Sequence, residues 1–186
     1  MASVIDVCNR ALDKLGQDPI TSLDDGNKSA NLCKRTWPII RDRALRAYPW
    51  NFAVKRVATA PSTETPSWGF KYNHPIPTDF LRLIEIRDLR STDYQVEGNN
   101  ISAYDSVLYI RYIYRVEDPN QYDSLFISAV AALLAAEMSE SFTQSDSKAQ
   151  KAWGEYDAAM MEARRADAQE NPVVLIEEDS WINARY

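Results

Sequence analysis

Histidine occurs once in the 186 residues, cysteine twice and glycine five times. Each shortage removes a class of chemistry. The one histidine, His74, sits among Asn73, Pro75 and Pro77, a context that reads as a loop. With no second histidine or nearby cysteine it makes a poor metal ligand. A Ser-His-Asp or Cys-His nucleophile would have to be assembled around that one residue, and the chain has no G-x-S-x-G to go with it. The glycines, at 16, 26, 69, 98 and 154, have neither the spacing that cradles a phosphate nor that of a dinucleotide fingerprint. No cofactor is expected. Cys8 and Cys33 fall on the apolar faces of helical patterns, so buried free thiols are expected in place of a disulfide. An apolar stretch at the N-terminus and a run of the ~20 apolar residues that span a bilayer are both missing. The expectation is a chain without membrane contact, made in a reducing cytoplasm and leaving it only inside an assembly.

The chain does hold one segment that is apolar on two opposite sides, DPNQYDSLFISAVAALLAAEMSES, residues 118–141. Asp118 is placed as an N-cap and Pro119 follows at the position where a missing N–H costs nothing, which predicts a helix starting there. One face carries Tyr122, Leu125, Phe126, Ala129 and Leu133, the opposite one Ile127, Ala131, Leu134, Ala135 and Met138. At helical spacing both faces must be covered. The expectation is that the protein's own helices cover one and further protein, such as a second copy, covers the other.

Before this segment two helices are predicted. Residues 4–15 begin with Ser3 and Asp6 at capping-box spacing and end at Gly16, with Val4, Ile5, Cys8, Ala11, Leu12 and Leu15 as the apolar stripe. After a polar connection in which Ile20 and Leu23 pin the loop, residues 29–48 turn Ala30, Cys33, Trp37, Ile40 and Ala44 inward and a set of basic residues outward, with Pro38 expected to kink or restart the helix. From residue 49 the pattern becomes extended. Strands are read at 50–54, 81–87 and 107–116, with a hairpin of 94–97 and 101–104 around Gly98, Asn99 and Asn100. The proline-containing stretch 60–70 reads as an exposed loop. A single small antiparallel sheet is therefore expected between the second and third helices. A fourth helix, 146–170, has Ala149, Trp153, Tyr156, Met160 and Ala163 as its stripe and stops at Asn171-Pro172.

The last residues, NPVVLIEEDSWINARY, are too few for a domain and too rich in apolar groups for an ordinary disordered tail. Val173, Leu175, Ile176, Trp181, Ile182, Arg185 and Tyr186 are candidate docking residues, since an extended peptide with aromatic anchors suits strand addition or pocket docking. Folding back on the chain's own core is about as good an account. Charge is uneven: residues 1–60 hold 10 basic against 6 acidic side chains, residues 118–186 hold 5 against 13. Pairing between ends or between subunits is the economical explanation. Arg41, Arg43, Arg46 and Trp50 are candidate subunit-interface residues. The same aromatic and basic mixture also suits single-stranded nucleic acid, and the abundant carboxylates leave a two-carboxylate hydrolase as a remote alternative.

Taken in order, VIDVCNRALDKLGQDPITSLDD, the run Trp37-Pro38 to Arg41-Asp42, Leu45-Arg46 and Pro49-Trp50-Asn51-Phe52-Ala53, then Pro77-Thr78-Asp79-Phe80-Leu81-Arg82, Tyr122-Asp123-Ser124-Leu125-Phe126 and the Trp181-Ile182-Asn183-Ala184-Arg185 ending resemble the bacteriophage tail tubular protein A or head-to-tail adaptor (connector) family. That resemblance implies an α+β, mainly α fold: a four-helix bundle (1–48 and 118–170) with a small antiparallel β region (49–117) inserted between the second and third helices and an extended docking tail (171–186). It further implies a structural virion protein of the head-tail junction, a homododecameric ring between the portal protein and the tail nozzle or tail tube. DNA would pass through such a channel without specific binding. The alternatives are a tail-associated peptidoglycan hydrolase and a nucleic-acid-binding module using the second helix.

Overall fold

The computed structural model describes residues 2–143 and 145–170. Its elements in chain order are α1 (Val4–Lys14), α2 (Lys28–Ala47), β1 (Val54–Thr59), β2 (Tyr72–Pro75), β3 (Phe80–Ile86), β4 (Tyr94–Glu97), β5 (Asn100–Ala103), β6 (Leu108–Tyr114), α3 (Ser124–Thr143) and α4 (Asp146–Glu170).

The helix starts follow local chemistry. Ser3 and Asp6 form a complete capping box, with Asp6 N–H donating to Ser3 Oγ at 3.1 Å and Ser3 N–H to Asp6 Oδ2 at 2.8 Å. Asn27 caps α2 by accepting from the Ala30 N–H at 2.8 Å. The helix then runs through Pro38 without interruption, so the expected restart does not occur. The third helix begins later than the proline signal suggested. Asp118 caps only a single 3-10 turn, Pro119–Gln121, after which Tyr122 is extended and its hydroxyl donates to the Val116 carbonyl at 2.6 Å. The cap of α3 is Asp123, which accepts from Leu125 N–H at 2.8 Å and Phe126 N–H at 3.3 Å.

Every residue of α3 from Ala129 to Ala136 is buried, as are Phe126, Ile127, Met138 and Ser139. Both faces are therefore covered, but the cover comes from this chain alone: α1, α2 and α4 all pack on α3. No second copy is needed to complete it, contrary to the expectation drawn from its two apolar sides. Its Ser124–Phe142 stretch is long and apolar enough to cross a membrane, yet 67% of it lies inside the fold. Cys8 and Cys33, both fully buried, are free thiols.

The strands form two three-stranded antiparallel sheets, ordered β1-β6-β3 and β2-β5-β4, where a single sheet was expected. Nor is the molecule a four-helix bundle carrying an insertion. Helices lie at the two ends of the described chain with both sheets between them, and one core runs through helices and sheet alike. Ala53, Leu81, Ile113 and Val116 belong to the same buried cluster as Leu12, Trp37, Ile40, Phe126 and Leu133. A second cluster, Ile86, Leu108, Ile110 and Tyr112 of the first sheet with Ile101 and Ala103 of the second, packs the two sheets face to face. β6 serves both cores. Its side chains alternate between faces, so Leu108, Ile110 and Tyr112 enter the intersheet core while Ile113 enters the helical one. The segment read as a strand at residue 50 is instead a 3-10 turn, Asn51–Ala53, and β1 follows it. The hairpin of β4 and β5 pairs Glu97 with Asn100, leaving Gly98 and Asn99 as a two-residue turn in which Gly98 takes φ +55. β2 went unread because its short run is broken by Pro75.

Candidate functional site

The four candidate interface residues around α2 are engaged within the chain. Arg41 Nε lies 2.8 Å from Asp42 Oδ1, while the other oxygen of that carboxylate takes Arg115 Nε at 2.9 Å. Arg43 pairs with Glu137 of α3 and lies over the Trp153 ring, and Arg46 donates to the Leu81 carbonyl of β3. Together they tie α2 to the helices and to the first sheet. Trp50 is interior, 1% exposed. Its indole N–H donates to the Ala44 carbonyl at 3.0 Å, and its ring meets Tyr48, Phe52 and Phe126. The 3-10 turn after Trp50 swings that side chain inward, which no sequence periodicity signals. Val173, Leu175, Ile176, Trp181, Ile182, Arg185 and Tyr186 lie outside the described residues.

His74 is a strand residue and fully buried, not a loop residue. Its Nε2 is 2.9 Å from the carbonyl of Asp105, on the loop between β5 and β6, and its Nδ1 is 3.3 Å from Thr59 Oγ1 at the end of β1, so Nδ1 joins the second sheet to the first while Nε2 holds the connecting loop. Asp79 is similarly occupied. Its Oδ2 accepts from Lys55 Nζ at 2.6 Å and its Oδ1 from the Tyr112 hydroxyl at 2.9 Å. Burial alone would raise this carboxyl, but the Lys55 and Tyr112 contacts outweigh it and hold it below the usual carboxylate range. Burial and the Asp79 bond in turn push the Tyr112 phenol up. The hydrogen bond to Cys33, with burial after it, raises the Cys8 thiol, which suits a packing residue and not a nucleophile. Among the described residues no group of three or more His, Cys, Asp or Glu side chains is placed to hold a metal ion.

Asp167, in the last turns of α4, is the one buried acid of that helix. Its Oδ1 accepts from Asn51 N–H at 2.9 Å and its backbone carbonyl from Asn51 Nδ2 at 2.8 Å, while Oδ2 has no partner among the described residues. Burial is the main reason its carboxyl is raised, with Glu170 and Asp123 adding to the effect. An acid raised in the folded state destabilises the fold when ionised, fully so above its folded pKa, and the penalty fades as pH falls through that value toward the unfolded one near ~3.9. Wild type is therefore expected to gain stability relative to Asp167→Asn as pH falls from 7 toward the unfolded carboxylate value near ~3.9. Urea denaturation of both proteins at the two pH values checks this, and an unchanged difference would contradict it.

The features that sequence reasoning missed are exposed aromatics at the sheet end. Trp68, on the loop between β1 and β2, is 88% exposed and Tyr104, just after β5, is 62% exposed. The Tyr104 ring lies 5.3 Å from that of Phe70, and its hydroxyl bonds the Gly69 carbonyl at 2.5 Å. Val107 and Tyr109 follow on β6 and just before it, also exposed. The available signal was a tryptophan between Ser67 and Gly69 in a proline-containing loop, where nothing local can bury it. A separate groove of about 560 Å³ lies on the outer face of the first sheet, between Arg56, Ala58, Glu85, Arg87, Tyr109 and Arg111. Compared with models of known protein families and with curated protein sequences, the chain matches none.

Proposed function

We propose that this chain is a structural subunit of a phage head-to-tail adaptor, a ring between the portal and the tail nozzle or tube that encloses the DNA channel. The observation that carries the proposal is the aromatic group at the end of the sheet pair, Trp68 with Tyr104 beside Phe70. Tryptophan and tyrosine dominate the energetic centres of protein interfaces, and an exposed cluster of them marks a surface that other protein covers. The ordered resemblance along the sequence supplies the identity of the assembly. In a closed ring each subunit offers different surfaces to its two neighbours, so the aromatic end needs no self-complementary partner. The tail residues Trp181, Ile182, Arg185 and Tyr186 are assigned to the portal or to an adjacent subunit. Engagement of Arg41, Arg43 and Arg46 inside the chain weighs against the rival in which they bind nucleic acid.

The test is electron microscopy of the purified chain mixed with the portal protein of the same genome. Rings seated on the portal are expected, and portals left bare would overturn the proposal. A Trp68→Ser, Tyr104→Ser double variant, shown folded by circular dichroism, is expected to lose ring closure. Undiminished rings would deprive the reading of its main support.

A further inference from the structure

β6 divides the outer face of the first sheet into a covered and an open part. Ile113 on that face enters the helical core. Arg111 and Tyr109, two and four residues back and so on the same side of the strand, line the open groove. The register sets two rows across it. Glu85 of β3, Arg111 of β6 and Arg56 of β1 make the first. The second has Tyr109 opposite Ala58 of β1, with Arg87, just past β3, donating its N–H to the Tyr109 carbonyl at 2.9 Å.

The first row is short of negative charge. Arg111 and Arg56 stand directly opposite each other, and like charges so placed destabilise a strand pair unless an anion lies between them. Glu85 reaches Arg111 through one terminal nitrogen at 3.2 Å, while Arg111 Nε is buried with no partner. The exposed Arg56 side chain has neither a hydrogen bond nor an ion pair among the described residues. Arg87 pairs with its neighbour Asp88, but the two side chains are 73% and 85% exposed, so that pair adds little and leaves Arg87 available. Three arginines thus face two carboxylates in a chain of net charge −6, which makes the positive groove a local arrangement and not a general property of the surface.

In the second row Ala58 is too small to cover the Tyr109 ring, which is 55% exposed. The groove of about 560 Å³ is of small-ligand size. Together the rows suit an oxyanion beside a flat ring. Guanidinium forks match the oxygens of a phosphate, and an unpaired base stacks on an exposed tyrosine. Alternate residues on a strand lie roughly 6.6 Å apart, a separation that one nucleotide spans between its phosphate and its base. A protein carboxylate would answer the arginines alone and leave Tyr109 unused. A duplex would offer phosphates but keep its bases stacked inside.

We infer that the outer groove of the first sheet binds a nucleotide unit, its phosphate held between Arg56 and Arg111 and its base stacked on Tyr109. The unit belongs either to a free nucleotide or to a single strand of nucleic acid, whose next phosphate Arg87 would meet. The assignment goes beyond the adaptor reading and stands on this groove alone, since ring formation on the portal neither requires nor excludes it.

Fluorescence anisotropy of a labelled oligothymidylate of about eight nucleotides, titrated with the full chain, tests the inference. Saturable binding is expected, weakened about tenfold by Arg56→Gln and by Tyr109→Leu and unchanged by Tyr109→Phe, each variant being shown folded by circular dichroism. Arg56→Gln is also expected to lower the slope of log K against log salt by about 0.7, the share of one phosphate on a single strand. Lys34→Gln, which removes an exposed charge from α2, is expected to alter neither. Thymidine monophosphate competing as strongly as the oligonucleotide would identify the free nucleotide as the ligand, and competition about tenfold weaker would identify the strand. No saturable binding, an equal loss with Lys34→Gln, or a duplex bound as tightly as the single strand would overturn the inference. So would displacement by polyglutamate at matched charge, which would show a groove made for protein carboxylates.

Discussion

Phe126→Ala is expected to cost about 3–5 kcal/mol of stability, the range for removing a large aromatic from a packed interior. Phe126 is fully buried at the start of α3, where its ring meets three others edge-on: Trp50 at 4.8 Å, Phe52 at 5.0 Å and Tyr122 at 5.1 Å. Such pairs each contribute roughly 0.5–1.5 kcal/mol beyond the area they bury. These four rings come from the turn before β1, the turn before α3 and α3 itself, so alanine at 126 leaves a cavity where those elements cross. Against a total of about 5–15 kcal/mol, the loss brings the protein near its unfolding threshold. Guanidinium denaturation followed by tryptophan emission measures it, because Trp50 lies inside the cavity wall. Trp50→Ala in the same background is expected to cost less than it does alone, since the two residues share a contact. A loss below about 1 kcal/mol for Phe126→Ala would mean that the cluster is not part of the core.

That cluster also marks where the sequence stopped being legible. The helices could be read because their signals are local. Ser3 and Asp6 are three residues apart, and the stripe of α2 repeats within a single element. The burial of both faces of α3 could be read as well, but periodicity says only that a face is covered. Whether α1 or a second copy covers one of them depends on contacts more than a hundred residues apart, and periodicity does not say on which face the neighbouring α4 folds back. Trp50 beside Arg46 looked like interface chemistry because aromatics and arginines are enriched at interfaces. The structure spends Arg46 on the Leu81 carbonyl and Trp50 on Ala44 and Phe126. The two sheets were merged into one for the same reason. The pairing of β6 with both β1 and β3 is non-local, and β2 is four residues long and ends in proline. Of the candidate interaction surface, the exposed aromatics Trp68 and Tyr104 had no periodic signal, since a loop residue belongs to no face.

Ile110→Ala is expected to cost about 2–5 kcal/mol and to do so without splitting the molecule into two folding units. Ile110 is 1% exposed in the intersheet core, among Ile86, Ile101, Leu108 and Tyr112, far along β6 from the helices. If the sheets were a module inserted into a separate bundle, damage there would leave the helical core standing. The observed packing gives no such boundary. Ile113, three residues further on the same strand, is fully buried in the helical core, and Tyr114 packs against both clusters. Arg115 is anchored on Asp42 of α2 at 2.9 Å, and its N–H on the Asp79 carbonyl at 2.6 Å. Loosening β6 therefore releases contacts on both sides at once. Denaturation followed by far-ultraviolet circular dichroism and by the emission of Trp37 and Trp50, both buried in the helical core, is expected to shift by the same amount with the two curves superimposed. If the fluorescence transition stayed at its wild-type midpoint while the dichroism acquired an earlier step, the continuity of the two cores through β6 would be refuted.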